Sequence, residues 1–86
     1  MAQGRERLIG RSAFALAGVL HRLGRADEAR ELYEQSLGRA DRRRSGFDAA
    51  RVHDALAELD AGDGHLAEAE EHRMAARALR QRNGLI

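Results

Sequence analysis

The sequence predicts an all-α fold of two stacked antiparallel helical hairpins, four helices in all, and three observations carry that expectation. Apolar residues recur at three- and four-residue intervals in four blocks, the period of a helix with one buried face. The β-branched residues are confined to Ile9, Val19, Val52 and Ile86, proline is absent, and no stretch alternates as a half-buried strand would. Sliding the chain on itself by 40 residues aligns Ala15-Leu16-Ala17 with Ala55-Leu56-Ala57, Gly24 with Gly64, Glu28-Ala29 with Glu68-Ala69, and Arg11 with Arg51. A period of that size is the mark of a helical-hairpin repeat.

Each element follows from its own pattern. The first helix, over about residues 5–23, carries Ile9, Ala13, Leu16, Ala17, Leu20 and Leu23, and Gly24 ends it. The second, about 26–42, places Ala26, Ala29, Leu32, Tyr33, Leu37 and Ala40 on one side, with Asp27 and Glu28 in the first turn, where carboxylates suit the positive end of the helix dipole. Ser45-Gly46-Phe47-Asp48 has the form of a capping box and opens the third helix, about 47–61, whose apolar face is Ala49, Val52, Leu56 and Leu59. Gly62 and Gly64 separate it from the fourth, about 65–82, an alanine-rich helix with Leu66, Met74 and Leu79 spread around much of its circumference. Gly84 closes the last block.

At 86 residues the chain holds one domain, 1–86, with repeat one over about 5–42 and repeat two over about 47–82. Cysteine is absent and no apolar run reaches the length of a signal segment or a membrane span, so a reducing, cytoplasmic setting without membrane contact is expected. All 15 basic residues are arginine, yet the 14 acidic residues leave a net charge of +1, so any anionic partner must be met by a local patch rather than by the field of the whole chain. Aromatic residues at 3% leave little to stack on single-stranded nucleic acid.

The repeated corner has a physical logic. Ala17 with Ala29, and Ala57 with Ala69, let the two helices of each hairpin approach closely, with Leu16 and Leu56 filling the space beside them and a glycine making the turn. On these residues the chain resembles the tetratricopeptide repeat family. Repeat one supplies Leu16, Ala17, Gly24, Ala29, Tyr33 and Ser36 at the family's positions; repeat two supplies Leu56, Ala57, Gly64, Ala69 and Ala76. It departs at Arg73 and Arg77, where an aromatic and an apolar residue belong, at Asp60, where a large side chain belongs, and in lacking the closing proline at Asp41 and Gln81. The 40-residue period is similar to the longer variant found in kinesin light chains and in the repeat arrays of bacterial regulators. Arg73 and Arg77 imply that the last helix turns its back to solvent, as a terminal cap does. Two hairpins bury little core, so self-association, or a place in a longer array, is expected to cover Leu8, Ile9, Leu85 and Ile86.

The chemistry-bearing residues point away from catalysis. Ser12, Ser36 and Ser45 have no spaced histidine and acid, and Gly62-Asp63-Gly64 follows a helix and carries an acid that would repel phosphate, so no enzyme and no cofactor is expected. His65, Glu68 and His72 share a helix face with Asp63 upstream, but the histidines lie two turns apart, so a solvated face with a Glu68–His72 contact is the expectation rather than a metal site. His21 and His53 are expected as buried or groove-lining neighbours. Arg42, Arg43 and Arg44 form the strongest local charge run, an anion contact in one reading and a dipole-satisfying helix end in the other.

The resemblance implies a concave groove lined by helices one and three. That assigns partner contacts to Arg11, Phe14, Gly18, His21, Arg22, Arg51, Asp54 and Glu58, a surface basic at one end and acidic at the other, without the asparagine-and-lysine clamp that some relatives use for a terminal carboxylate. The expected function is a non-enzymatic protein-interaction module that binds a peptide or helix in the groove, pairs with a copy of itself, or both. The alternative is a nucleic-acid-binding or regulatory module using Arg42, Arg43 and Arg44, or a fragment of a bacterial repeat-containing transcriptional regulator.

Overall fold

The computed structural model describes residues 2–82 and folds them into α1 (Ala2–Arg22), α2 (Ala26–Arg42), α3 (Gly46–Gly62) and α4 (Leu66–Arg82). Gly84, Leu85 and Ile86, read above as a helix stop and an apolar end, lie outside the described residues. Consecutive helices pack on one another, α1 on α2, α2 on α3 and α3 on α4, in a body of 38 × 26 × 16 Å.

The corners explain why the chain doubles back where it does. Gly24 has φ +80°, its N–H donates to the His21 carbonyl at 3.0 Å, and the Arg25 N–H reaches back to Leu20 at 2.9 Å. Gly64 repeats this at φ +82°, with bonds to Ala61 at 3.1 Å and from His65 to Asp60 at 2.8 Å. Paired bonds of this kind satisfy the last carbonyls of a helix and require a left-handed residue, which glycine adopts without strain. Between the hairpins the same bonds recur from Arg44 to Asp41 at 3.0 Å and from Ser45 to Ala40 at 2.9 Å, with Arg44 itself at φ 55°. Ser45 then caps α3 by accepting from the Asp48 N–H at 3.3 Å.

The core sits where α1, α2 and α3 meet, built from Ala17, Leu20, Ala29, Tyr33, Val52, Leu56 and Leu59. Ala17, Ala29, Ala57 and Ala69 are all fully buried, so the small residues do set close helix contacts. Leu16 does not fill the space beside Ala17: it is 51% exposed, whereas its equivalent Leu56 is 2% exposed. The difference is positional. On α3 that face is covered by α2; on α1 no described element covers it, and Leu8, Ile9, Val19 and Leu23 share the exposed stripe. At the other end Arg73 and Arg77 face solvent on α4, as a cap requires.

Candidate functional site

Three faces of α1 divide its work. Ala13, Ala17 and Leu20 point into the core, Leu16, Val19 and Leu23 point outward, and Arg11, Phe14, Gly18 and Arg22 lie on the side toward α3. Because α3 packs on α2 rather than on α1, a groove remains between α1 and α3, with α2 beneath it.

Tyr33 of α2 forms the floor. Its ring meets Phe14 edge-on, with centroids 5.5 Å apart, and its hydroxyl lies 3.7 Å from where a side chain on Gly18 would begin. A side chain at Gly18 would thus rest against the tyrosine hydroxyl. Burial first, then the charge of Glu58 on α3, pushes the Tyr33 hydroxyl above its ordinary value, while Arg22 on α1 opposes the shift. Both walls are therefore within electrostatic reach of the floor.

Toward the start of α1 and α3 the groove deepens into a cleft of about 340 Å³, lined by Arg11, Phe14, Ser36, Arg43, Asp48 and Arg51 among others. The Arg51 guanidinium lies 4.9 Å from the Phe14 ring centroid, a cation–π contact that orders the charge across the cleft. Arg43 donates to Asp48 at 3.0 Å; its side chain is only 10% exposed, and its Nε is buried with no acceptor among the described residues. At the cleft's edge the buried Ser36 hydroxyl donates to the Gly10 carbonyl at 3.0 Å, tying α2 to α1.

Of the residues expected at the groove, Arg11, Phe14 and Arg51 come together in the cleft, and Gly18, Arg22 and Glu58 gather around Tyr33. His21 is half-buried just before the Gly24 corner. Asp54 is drawn away: its carboxylate accepts from Arg80 of α4, so it braces the second hairpin. Arg42, Arg43 and Arg44 do not share a surface. Arg43 turns into the cleft, whereas Arg44 lines a separate hollow with Asp41 and Arg82.

The histidines are arranged otherwise than expected. His53 meets His72 of α4, not His21, with the two Nδ1 atoms 2.9 Å apart. His72 turns inward rather than to Glu68, and its Nε2 lies 3.6 Å from the carboxylate of Asp60. Asp60, 1% exposed, accepts from Arg30 of α2 at 2.5 Å, and His65 approaches it to 4.0 Å. Glu68 therefore does not join the two histidines of its helix; His72, and more distantly the exposed His65, face the buried Asp60 carboxylate that links the hairpins.

A family model described as tetratricopeptide repeat matches residues 8–82, from the first turns of α1 to the end of α4. No curated protein and no solved structure matches the chain.

Proposed function

The chain belongs to the tetratricopeptide repeat family, and on that premise we propose that it is a non-catalytic protein-interaction module, one domain over residues 1–86, that receives a segment of a partner protein in the groove between α1 and α3. Phe14 standing against Tyr33 between two charged walls carries the proposal. Such a site buries an apolar side chain of the partner on the half-buried Phe14 ring, which Tyr33 backs from the core, while its flanks meet arginines and Glu58, the combination of anchor and polar rim that interfaces use. Among the described residues no helix is long and apolar enough to cross a membrane, and a cytoplasmic location suits the role.

The outer face of α1 favours a second mode in the same module. Leu8, Leu16 and Leu23 are more than half exposed and share a stripe with Ile9 and Val19, a surface suited to another helical face, including that of a second copy. The nucleic-acid alternative has less support, because Arg43 is withdrawn from the Arg42–Arg44 run.

Peptide display followed by amide chemical-shift mapping tests the groove. Selected peptides should shift Phe14, Gly18 and Tyr33, and Phe14→Ala should weaken binding about tenfold or more, as loss of a buried aromatic contact does. Peptides that map to the outer faces of α1 or α4 and ignore Phe14→Ala would defeat the groove reading.

A further inference from the structure

We propose that α1 pairs antiparallel with α1 of a second copy of this chain, along its outer apolar stripe and about a twofold axis at Leu16. The inference rests on the second mode given above for that face and commits it to one occupant and one register. The groove reading does not depend on it.

Spacing is the first observation. Ile9, Ser12, Leu16, Val19 and Leu23 follow one another at alternating intervals of four and three or three and four, the seam of a helix that meets another helix along its length, and all five are exposed. Ala13, Ala17 and Leu20 belong to the core face, so α1 carries an apolar face beyond the one its own hairpin uses. The other large apolar residues that stand exposed among the described residues, Phe47, Leu66 and Met74, are single residues on α3 and α4.

Charge is the second observation, and it excludes stacking copies head to tail. Within the chain, Tyr33 and Leu37 of α2 pack into the core that holds Val52 and Leu56 of α3. The positions 40 residues on, which the α4 of another copy would lay on α1, are Arg73 and Arg77, both exposed. Two arginines set on Leu16 and Val19 would lose water and gain no acceptor. A stripe with no apolar counterpart on another helix is matched by itself, and a surface that matches itself closes as a twofold dimer.

The orientation follows. The last turn of α1 carries His21 and Arg22, and parallel pairing would set two such basic ends side by side. Antiparallel pairing about Leu16 separates the two Arg22 residues by about 18 Å along the axis and opposes the helix dipoles. Ile9 then meets Leu23 of the other copy. An apolar patch of this kind covers about 300–600 Å² per copy, the lower end of what a specific interface buries. The dimer is therefore weak, with a dissociation constant of about 10–100 µM.

Sedimentation equilibrium of the full chain from about 5 µM to about 1 mM, a range that brackets this constant, should show the mass rising from one chain toward two. Leu16→Glu and Leu16→Arg should each keep the native helical content, because Leu16 is 51% exposed, and each should weaken pairing by about tenfold or more. Mixed in equal amounts the two variants should pair again, since a residue on the axis meets its own copy. On oxidation Ile9→Cys should cross-link to Leu23→Cys rather than to itself, and the native chain has no cysteine to interfere.

A chain that stays monomeric to about 1 mM, charged variants that do not recover on mixing, or an Ile9→Cys chain linked mainly to itself would overturn the proposal. So would tighter assembly of Leu16→Glu, the result that stacking on Arg73 and Arg77 of another copy would give. Peptides selected at Phe14 would map there in either case, so failure of the dimer leaves the groove standing, and failure of the groove leaves the dimer.

Discussion

Beneath the Gly24 turn the first hairpin buries Leu20, whereas at the equivalent position beneath the Gly64 turn the second buries Asp60. The backbone bonds of the two turns are the same, so the corner itself does not demand an apolar residue there. What differs is the neighbour. Leu20 joins Tyr33 and the α3 leucines in a core that has no directional preference. Asp60 meets Arg30 across the hairpin boundary and His72 within its own hairpin, contacts that hold only in one register. The first hairpin is thus held by shape and hydrophobic burial alone, while the second adds a buried ionic knot to the apolar face of α3 and the buried alanines of α4, and the knot also fastens the two units to each other.

The largest effect should come from the first hairpin. Tyr33 is buried among residues of three helices and carries the aromatic contact to Phe14, so Tyr33→Ala should cost about 3–4 kcal/mol in urea unfolding, the usual scale for truncating a core aromatic. That loss should be nearly the same at pH 7.5 and at pH 5.5, since no charge is removed.

The knot should answer differently. Asp60→Leu writes the first hairpin's residue into the second, but leaves Arg30 and His72 facing an apolar side chain. A loss of about 2 kcal/mol is expected, less than for a fully enclosed ion pair because Arg30 is 27% exposed. Asp60→Leu with Arg30→Met should recover most of it, as replacing a whole buried pair often does. If the double variant were no better than the single one, the comparison between an apolar and an ionic interior would be the wrong one.

Acid should distinguish the hairpins further, by a smaller margin. Burial first, and the charge of His72 second, hold the His53 imidazole below its ordinary value, against the pull of Asp41 on α2 and Asp54 on its own helix. The unfolded chain then binds the proton more readily than the folded one. The stability contributed is whole above about pH 6.5 and is lost as pH falls from there toward the lower folded value. The 2.9 Å contact with His72 acts in the same direction, because two doubly protonated rings have no acceptor between them. Urea midpoints between pH 7.5 and 5 should fall in the native chain and fall less in His53→Gln, and hydrogen exchange should show α4 opening before α1.

Much of the fold was legible because its punctuation is local. Gly24, Gly64 and the Ser45–Asp48 cap mark the corners within a residue or two, and the four helix spans follow. Arg11, Phe14, Arg51 and Glu58 could be placed from helical spacing and the family resemblance. Burial that depends on which neighbour is present could not. Leu16 and Leu56 are identical in their repeats and opposite in exposure, because α2 covers only one of them. Nor could the fate of Arg43 be read from the Arg42–Arg44 run, since α2 ends at Arg42 and the chain turns through Arg44 at φ 55°, so that of the three only Arg43 lines the cleft. Asp60 was visible as an anomaly at a position for a large side chain; its partner Arg30 lay 30 residues away, beyond any local pattern.

The third corner offers the finest comparison, because it makes the same pair of backbone bonds without glycine. Arg44 holds φ 55°, where a β-carbon crowds the following carbonyl at a cost of about 1–2 kcal/mol. Glycine would remove that strain but enlarge the freedom of the unfolded chain, an opposing effect of about 0.4–1 kcal/mol. Arg44→Gly should therefore stabilise the chain by about 0.5–1 kcal/mol, seen as a higher urea midpoint with an unchanged slope. The reverse exchange at the hairpin turns, Gly24→Arg, should destabilise, since the same conformational strain is introduced rather than relieved. The two substitutions ask one question of one backbone shape from opposite sides. If Arg44→Gly lowered stability instead, the arginine side chain at the Asp41–Arg82 hollow would be contributing more than the strain it imposes, and that corner would be held by its side chain rather than by its turn.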